Sequence, residues 1–450
     1  MASSQWLIAQ SGATPTHILY IYTGVRVPLL TAQPPGSHSP LPHLLISQDN
    51  CTSSAMGNHS VHHNFHGNNP GVVHFSSPVD IPDDVPLYRT LSHANPSGNM
   101  FLSPLSINSA LAMVYLGARG ETAFQMEKVL AFEPGEDVHA AFKKLIAEIN
   151  SPSASYILKT ANRLYGEKTT KFLPPFLEAI GKYYKDNLKT VDFIGAAEAS
   201  RGEINTWVEK QTENKIKDLL KAVSDGTRLA LVNAIYFKGN WMYRFDEANT
   251  KEMPFKVSQT VSKPVQMMFQ KKNLHYNSID GLQILELPYE KEELSMLILL
   301  PAQSKDGSDP LLKLEEELTL EMLNGLTDRE NMLVHSDIHV HLPKFKMEVE
   351  YKLNEPLSEM GMTDVFCPSK ADLSGMNDGR DLFLSTVVHK AFVEVNEEGK
   401  EAAAATPAVV PQGGPNLKEE HFTADHPFLF FIRHNKTKSL LFLGKFSSPQ

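Results

Sequence analysis

Residues 394–415 have the sequence EVNEEGKEAAAATPAVVPQGGP. The stretch begins acidic, passes through four consecutive alanines at 402–405, and ends in a segment rich in proline and glycine. Alanine has the best intrinsic helix propensity, so four alanines after a mixture of Glu and Lys would by themselves predict a helix. Pro407, Pro411 and Pro415 exclude its continuation, because proline has no backbone N–H and clashes with the preceding turn. The stretch needs another explanation.

The composition limits the class of protein. The chain has 450 residues, 42% hydrophobic and 21% charged, as in ordinary globular proteins. This length predicts two or three domains or one large domain. The formal net charge of −10 argues against a general nucleic-acid binder, which usually has a basic surplus. Because no apolar run approaches the ~18 residues needed to span a bilayer, we expect neither nucleic acid nor membrane as a partner.

Residues 1–86 differ in character from the rest of the chain. They hold eight of the 18 histidines but only five Asp, Glu, Lys or Arg residues. We interpret residues 1–86 as an atypical, disordered N-terminal extension without the positively charged leader of a secretory signal. A weak metal-binding tract is the alternative for four of these histidines, namely His59, His62, His63 and His66.

From residue 87 onward the pattern is that of a folded domain. Apolar residues at helical spacing predict amphipathic helices over 103–118 and 204–220. Runs of apolar and β-branched residues predict strands at 229–239, 282–289, 294–301 and 336–349. Helices come first and strands later, without βαβ alternation, which favours an α+β domain with mainly antiparallel sheet.

No sequence motif predicts an enzyme. The chain lacks the GxSxG, HExxH, P-loop and dinucleotide-binding patterns. His339 and His341 share one face of a predicted strand and could hold a metal, but no third ligand is evident. Asp425 and His426 with Ser439 are the only residues we considered as parts of a catalytic triad. We therefore expect no catalytic residues, no metal and no cofactor.

Nine separated motifs carry a resemblance to a known family. They are FLSPLSI (101–107), LGARGET (116–122), INTWVEKQT (204–212), LVNAIYFKGNW (231–241), LPKFKME (342–348), LSEMGMTDVF (357–366), ADLSGM (371–376), HKAFVEVNEEG (389–399) and FTADHPFLFFI (422–432). With these motifs in family order, residues 87–450 resemble a serpin over essentially their whole length. The closing GKFSSP (444–449), the missing leader and the two cysteines resemble the ovalbumin-like (clade B) branch.

The resemblance implies an α+β serpin fold with three mainly antiparallel β-sheets, about nine helices and an exposed reactive loop at about 396–421. A serpin of this kind is a suicide substrate of a serine-type endopeptidase. Cleavage in the loop lets the segment after the hinge insert as a new central strand of the main sheet, and the acylated protease is distorted before it can deacylate. The implied target is elastase-like or chymotrypsin-like, with a cysteine protease as the alternative.

The same resemblance explains the alanines of the opening stretch. An inserting strand alternates its side chains between core and surface, and small residues enter a closing gap at little steric cost. The family pattern turns Lys400, Ala402, Ala404 and Thr406 inward. The whole hinge implied by the resemblance consists of Glu397, Glu398, Gly399, Lys400, Glu401, Ala402, Ala403, Ala404, Ala405 and Thr406.

Other site residues carry over from the motifs in which they stand. Ser103, Ser106, Asn233 and His389 match the family's polar cluster beneath the main sheet, where hydrogen bonds govern the parting of strands. Trp241 matches the tryptophan at the top of the sheet, where insertion starts. Taken alone, these residues would be read as satisfied core polar groups and a buried aromatic residue.

The position of the reactive bond depends on family spacing. Counting fourteen residues on from Gly399 gives Gly413–Gly414, although a glycine offers little to a protease specificity pocket. The rival positions are Val409, Val410 and Gln412. Cleavage at Val409–Val410 would suit an elastase-like pocket but would shorten the inserted strand.

Two departures from the family pattern leave a second function open. Pro82 and Pro86 interrupt the usual first helix, so that helix is predicted to be truncated, and residues 1–80 are interpreted as an alternative or mis-joined first exon. Lys400 stands where inhibitory members usually carry Thr or Ser. The alternative function is therefore a non-inhibitory serpin with a binding or structural role.

The expected setting follows from the same branch of the family. We expect a monomer whose only macromolecular partner is the target protease. The few cysteines predict a reducing compartment, so the expected localisation is cytoplasmic, with extracellular release without a leader as the alternative.

Overall fold

The computed structural model describes residues 85–132, 137–185, 187–304, 307–399 and 419–449. Within these ranges the chain forms nine α-helices and two β-sheets, which confirms the predicted α+β class. The predicted extension, 1–86, lies outside the described residues except for Val85 and Pro86. Pro86 is the second residue of the first helix, where the missing N–H needs no helical partner. The truncation of this helix stays a prediction.

The helices are numbered in chain order. They are α1 Val85–Ala94, α2 Pro104–Tyr115, α3 Gly120–Val129, α4 Val138–Ile149, α5 Pro174–Tyr184, α6 Phe193–Gln211, α7 Pro310–Glu317, α8 Leu320–Thr327 and α9 Asn354–Glu359. Helix α2 begins where the sequence predicts, because the Ser103 hydroxyl accepts a hydrogen bond from the Ser106 N–H and Pro104 occupies the first turn.

The second predicted helix, 204–220, had wrong boundaries. Helix α6 begins eleven residues earlier, at Phe193, and ends at Gln211. It cannot continue because Glu213 and Asn214 both have positive φ angles, 53° and 61°. The segment beyond them packs its apolar side chains instead of winding them into the helix.

The fourteen strands are also numbered in chain order. They are β1 Met100–Leu102, β2 Tyr156–Glu167, β3 Leu188–Val191, β4 Leu229–Gly239, β5 Lys251–Lys256, β6 Ser262–Ile279, β7 Leu282–Pro288, β8 Leu294–Pro301, β9 Leu333–Pro343, β10 Phe345–Lys352, β11 Leu384–Val395, β12 His421–Thr423, β13 Phe428–His434 and β14 Ser439–Phe446. The strands predicted at 229–239 and 294–301 have these bounds.

Nine strands form the larger sheet, in the order β1-β14-β13-β8-β7-β6-β9-β12 with β5 beside β6. Strand β6 is 18 residues long. It pairs with β5 over residues 262–267, with β9 over 267–276 and with β7 over 276–279. Two of the three sheets implied by the resemblance are therefore joined through β6 into one hydrogen-bonded sheet.

Five strands form the smaller sheet, in the order β10-β11-β4-β2-β3. Strands β11 and β4 lie side by side and run parallel, with His389 opposite Asn233. The single strand predicted at 336–349 is instead two strands, β9 in the larger sheet and β10 in the smaller. The break falls at Pro343 and Lys344, because proline offers no N–H to continue the ladder and the Lys344 N–H bonds the Gln266 carbonyl at 2.8 Å.

Two apolar clusters hold the sheets and helices together. The larger cluster includes α2, whose residues up to Val114 are all buried, packed against β2, β4 and β14. The smaller cluster lies between α6 and the five-stranded sheet and includes Ile216, Leu219 and Leu220 from the segment after α6. Because α2 packs against β4 in the larger cluster, the start of this helix at Ser103 is fixed beneath that strand.

Candidate functional site

A closed polar network lies between the start of α2 and the two parallel strands β4 and β11. The Ser103 N–H donates to His389 Nε2 at 3.1 Å, and His389 Nδ1 lies 2.6 Å from Asn233 Oδ1. The Asn233 amide donates to Ser106 Oγ at 2.8 Å. The Ser106 N–H in turn donates to Ser103 Oγ at 3.3 Å. The structure therefore brings together all four residues that the resemblance assigned to a polar cluster.

The network determines the protonation of His389. Nε2 accepts from the Ser103 N–H, so it carries no proton, and Nδ1 must donate to Asn233 Oδ1. The ring is fully buried, and burial lowers the pKa of His389 to about 3. A second proton would break the Ser103 bond and place a charge in the core. His389 is therefore a neutral imidazole that bridges α2, β4 and β11.

Trp241 lies just beyond the end of strand β4, beside the residues that follow β11. Its ring is 3% exposed and stacks on Tyr289 with a centroid distance of 4.5 Å. Its indole N–H donates to the Asn396 carbonyl at 2.8 Å, and its backbone N–H donates to the Glu398 carbonyl at 3.1 Å. Trp241 thus holds the chain that leaves β11.

Ion pairs fix the first two hinge residues. The Glu397 carboxylate accepts from Lys344 Nζ at 2.7 Å and from Thr250 Oγ1 at 2.8 Å. Burial raises the pKa of Glu397, but the hydrogen bonds from Lys344 and Thr250 outweigh burial and leave this pKa below its ordinary value. Glu398 pairs with Lys238 on β4. The hinge is anchored up to this point.

Gly399 is the last described residue of the predicted hinge. It bridges to Trp241 in a parallel sense. A Cβ atom added here would lie 2.6 Å from the Trp241 carbonyl oxygen and 2.9 Å from the Arg244 Cα. Because both neighbours are backbone atoms, only glycine lets the chain pass so close.

The remaining predicted loop residues fall outside the described part of the chain. These are the rest of the hinge (Lys400, Glu401, Ala402, Ala403, Ala404, Ala405 and Thr406) and the candidates for the reactive bond (Val409, Val410, Gln412, Gly413 and Gly414). A cavity of about 480 Å³ opens beside the start of this segment. It is lined by Asn240, Arg244, Phe245, Asp246, Glu247, Glu397, Glu398 and Gly399.

The triad considered from the sequence is wrong. His426 Nδ1 does lie 2.8 Å from Asp425 Oδ1, but its Nε2, which would have to face Ser439, bonds the Pro301 carbonyl at 2.7 Å. Ser439 is bonded to Thr437 instead, at 2.7 Å. The described residues also contain no group of three or more His, Cys, Asp or Glu side chains arranged to hold a metal. In the same part of the chain, no helix is both long and apolar enough to cross a membrane.

A comparison with protein families identifies the fold. The family described as "Serpin (serine protease inhibitor)" matches residues 85–449. The chain belongs to the serpin family. This confirms the resemblance drawn from the nine motifs.

Known serpins share most of this chain. Leukocyte elastase inhibitor of Homo sapiens is 54% identical over 367 residues, which cover 81% of this chain and 96% of the human protein. The same inhibitor of Equus caballus is 52% identical and covers 81% and 97%. The predicted likeness to the ovalbumin-like branch is confirmed, since these relatives match over 96–97% of their own length and the structure of ovalbumin matches the same share of this chain, 81%.

Solved structures support the same conclusion. Uncleaved ovalbumin superposes with a TM-score of 0.74 at 37% identity, covering 81% of this chain and 97% of the ovalbumin chain. Maspin superposes with a TM-score of 0.75 at 36% identity, covering 81% and 96%.

The residues that hold the serpin hinge in place were not predicted from the sequence. Lys344 and Thr250 bind Glu397, and Asn396 accepts the Trp241 indole N–H. Lys344 stands inside the LPKFKME motif, so the sequence marked it as a family position. Its partner Glu397 lies more than fifty residues further along the chain, so the ion pair could not be predicted. Tyr351, which stacks on His389 at 6.2 Å, had no sequence signal.

Proposed function

We propose that this serpin inhibits serine endopeptidases as a suicide substrate. The protease cleaves the loop between β11 and β12 and forms an acyl-enzyme. The freed segment then inserts between β11 and β4 as a new strand of the five-stranded sheet. The protease is carried along and distorted before water can release it.

One observation carries the proposal: β11 and β4 are direct neighbours, and the loop leaves from the end of β11. A chain that reverses after Gly399 runs antiparallel to both strands. Insertion therefore replaces one parallel pairing by two antiparallel pairings, and parallel pairing is slightly less stable per residue. The sheet gains a strand without losing an antiparallel ladder.

The polar network and the hinge contacts support the same reading. The two parting strands are joined beneath the sheet through His389 and Asn233, which hold each other at 2.6 Å. At the top of the sheet they are joined through Trp241 and the hinge backbone. Parting the strands requires that these contacts be exchanged, which is how we propose that the cluster controls insertion.

We propose a protease of elastase-like or chymotrypsin-like specificity, with Gly413–Gly414 as the reactive bond. The similar relatives carry the name leukocyte elastase inhibitor. Val409, Val410 and Gln412 remain rival positions, and a cysteine protease remains the alternative target class. We further propose that the protein acts as a monomer in the cytoplasm.

The direct test is formation of a covalent complex. The full chain is incubated with neutrophil elastase, proteinase 3, cathepsin G, subtilisin and papain, and each mixture is resolved on a denaturing gel. We expect an SDS-resistant band at the summed mass for at least one serine protease. N-terminal sequencing of the released C-terminal fragment then identifies the cleaved bond. This fragment starts at Gly414 if cleavage follows Gly413.

A matched pair of variants tests the register of insertion. Ala404→Arg places a charged side chain on the face predicted to turn inward, whereas Ala403→Arg places it on the outward face. We expect Ala404→Arg to be cleaved without forming a complex and Ala403→Arg to keep the complex. Equal behaviour of the two variants would contradict the proposed register.

The non-inhibitory alternative rests on Lys400 in the hinge and on the predicted truncation of the first helix. If no protease in the panel forms a complex although the loop is cut at a single bond, the binding or structural role is the better account. Cleavage without any complex in the unmodified chain would therefore overturn the inhibitory proposal.

A further inference from the structure

Strand β12 is the attachment of the reactive loop to the rest of the molecule on its C-terminal side. It has only three residues, His421–Thr423, and it pairs in parallel with β9 through residues 339–341. The His339 N–H bonds the Glu420 carbonyl at 2.9 Å, and the Ala424 N–H bonds the His341 carbonyl at 2.9 Å. Because three residues make few backbone hydrogen bonds, the side-chain contacts between β12 and β9 strongly affect whether β12 stays docked.

Three histidines face one another across this attachment. His339 and His341 alternate on one face of β9, and His421 lies directly opposite His339 on β12. The rings of His339 and His421 have a centroid distance of 4.6 Å. On the other side, Phe269 of β6 packs its ring on His341 at 4.8 Å. We name His339, His341 and His421 the histidine cluster.

Two ring nitrogens of the cluster are buried without a hydrogen-bond partner among the described residues. They are His339 Nε2 and His341 Nδ1. A Glu419 oxygen lies 3.9 Å from His339 Nε2, which is beyond hydrogen-bond range. A neutral ring tolerates an unpaired nitrogen, but a protonated nitrogen without an acceptor is much more costly.

The charged groups around the cluster do not offset additional positive charge. From β6, Lys271 faces His339 and pairs with Glu419 at 3.5 Å and Asp337 at 3.8 Å. Glu420 precedes β12 and contributes its backbone carbonyl to β9.

Beyond β12, Asp425 already has two cationic partners. Lys256 lies 3.2 Å and His426 Nδ1 2.8 Å from its carboxylate oxygens. Most of the nearby carboxylates are thus committed to lysines or to His426, and protonation of the cluster would leave like charges in contact.

We propose that the histidine cluster is a pH-sensitive clasp for the C-terminal end of the reactive loop. With neutral imidazoles, β12 stays docked on β9. With imidazolium rings, mutual repulsion and the repulsion from Lys271 release β12, and the loop loses its attachment there. The device belongs to the β9–β12 contact and does not require that the protein inhibit any protease.

The direction of the pH effect follows from His341. Burial, then the charges of His339 and His421, lower the pKa of His341 below its ordinary value. The docked state therefore binds fewer protons than the undocked state. Docking is complete above the free imidazole pKa of about 6.5 and is lost as the pH falls below it.

Hydrogen exchange measured by mass spectrometry tests the clasp without any protease. The full chain is labelled at pH 7.5 and at pH 5.0, and rates are corrected for the intrinsic pH dependence of exchange. Peptides that cover β12 and Ala424 report on docking, and peptides that cover β8, in the middle of the same sheet, are the reference. We expect protection of the β12 peptides to fall about tenfold or more at pH 5.0, while β8 stays protected; tenfold corresponds to one pKa unit of linkage.

Variants separate the cluster from other titrating groups. The triple variant His339→Asn, His341→Asn, His421→Asn should keep the same β12 protection at both pH values. His434→Asn, which removes a buried histidine elsewhere in this sheet, should lose protection as the unmodified chain does. If the triple variant does not fold, the exposed His421→Asn is used alone and should reduce the loss.

Two results would overturn the clasp. One is β12 protection in the unmodified chain that does not change between the two pH values. The other is a loss of protection in the histidine variants equal to that of the unmodified chain, which would assign the effect to carboxylates or to His389.

Discussion

His389 is a buried group whose charge state is set by hydrogen bonds from two different elements. Nε2 accepts from the Ser103 N–H and Nδ1 donates to Asn233. Such a ring is stable only when neutral, because a charged imidazole would lose the Ser103 bond and its solvation together. The consequence is a dependence of stability on pH that originates at one residue.

The first prediction concerns acid stability. The pKa of His389 is about 3 in the fold, against about 6.5 when unfolded. The folded state therefore binds fewer protons, and the free energy of unfolding falls as the pH drops from 6.5 toward 3, by at most about 1.4 kcal/mol per pH unit. Guanidinium unfolding of the unmodified chain and of His389→Gln, measured between pH 7 and 4.5, should show a shallower slope for the variant.

A matched control supports the assignment to His389. His275→Gln changes a partly exposed histidine on β6 and should keep the slope of the unmodified chain. Identical slopes for His389→Gln and the unmodified chain would mean that this residue does not set the acid stability.

At the scale of elements, the parallel pairing of β11 with β4 is the place where the smaller sheet parts most easily, because parallel pairing is slightly less stable per residue. Every other pairing of these two strands is antiparallel, β11 with β10 and β4 with β2. A strand that enters between β11 and β4 bonds its N–H groups alternately to the two neighbours, so every residue must offer one, and it must bury alternate side chains. The loop sequence conflicts with both requirements, at Pro407 and at Lys400.

The second prediction concerns these two residues. Lys400 would turn an ammonium inward at the first inserted position, where it must snorkel or find a carboxylate. Pro407 removes one ladder donor from a central strand. Slow insertion gives the protease time to deacylate, so we expect an inhibitor that is largely consumed as a substrate. Lys400→Thr combined with Pro407→Ala should lower the number of inhibitor molecules consumed per protease inactivated.

The comparison is valid only if both chains are cut at the same bond, which sequencing of the released fragment establishes. Ala403→Ser, on the outward face, is the control and should leave the ratio unchanged. A double variant with the ratio of the unmodified loop would mean that another feature limits insertion.

At the scale of the whole molecule, a buried ion pair ties the two ends of the domain together. Lys445 on β14 is fully buried and lies 3.1 Å from Glu315 on α7. Its ammonium also donates to Ser92 Oγ on α1 at 3.0 Å, and Tyr88 of α1 donates to Glu315. The first helix, a central helix and the last strand thus share one charge network.

The third prediction tests this network. Glu315→Ala leaves the Lys445 ammonium buried without its carboxylate, which costs about 3–5 kcal/mol in the free energy of unfolding. The exposed pair Lys313 and Glu317 on the same helix gives the control, since Lys313→Ala should cost no more than about 0.5 kcal/mol. Chemical unfolding at neutral pH measures both, and an equal small loss for the two variants would contradict the importance of the network.

The fourth prediction follows from the proposed insertion. A new central strand of about ten residues adds on the order of ten ladder hydrogen bonds at ~1 kcal/mol each. We therefore expect single-site cleavage in the loop to raise the melting temperature by roughly 10 °C or more. Scanning calorimetry of cut and uncut protein measures this change. No rise after confirmed cleavage would exclude productive insertion and favour the binding or structural alternative.

Local patterns in the sequence determined several elements directly. Strands β4 and β8 were predicted at their observed bounds because long apolar, β-branched runs identify buried strands. Apolar residues at helical spacing predicted α2, whose start the structure fixes with the Ser103 cap and Pro104. The family motifs implied Ser103, Ser106, Asn233, His389 and Trp241 as one site, because each motif carries its residue in a fixed local context.

Only the tertiary structure decided which distant residues meet. Residues 103 and 389 are 286 positions apart and become neighbours because α2 packs beneath β4 while β11 pairs with β4. Packing also decided that the residues after α6 do not continue the predicted helix, since Ile216, Leu219 and Leu220 are buried against the five-stranded sheet. The histidine cluster arises only from the register of β12 on β9, since pairing across strands is fixed by burial of one face and cannot be read from either strand alone.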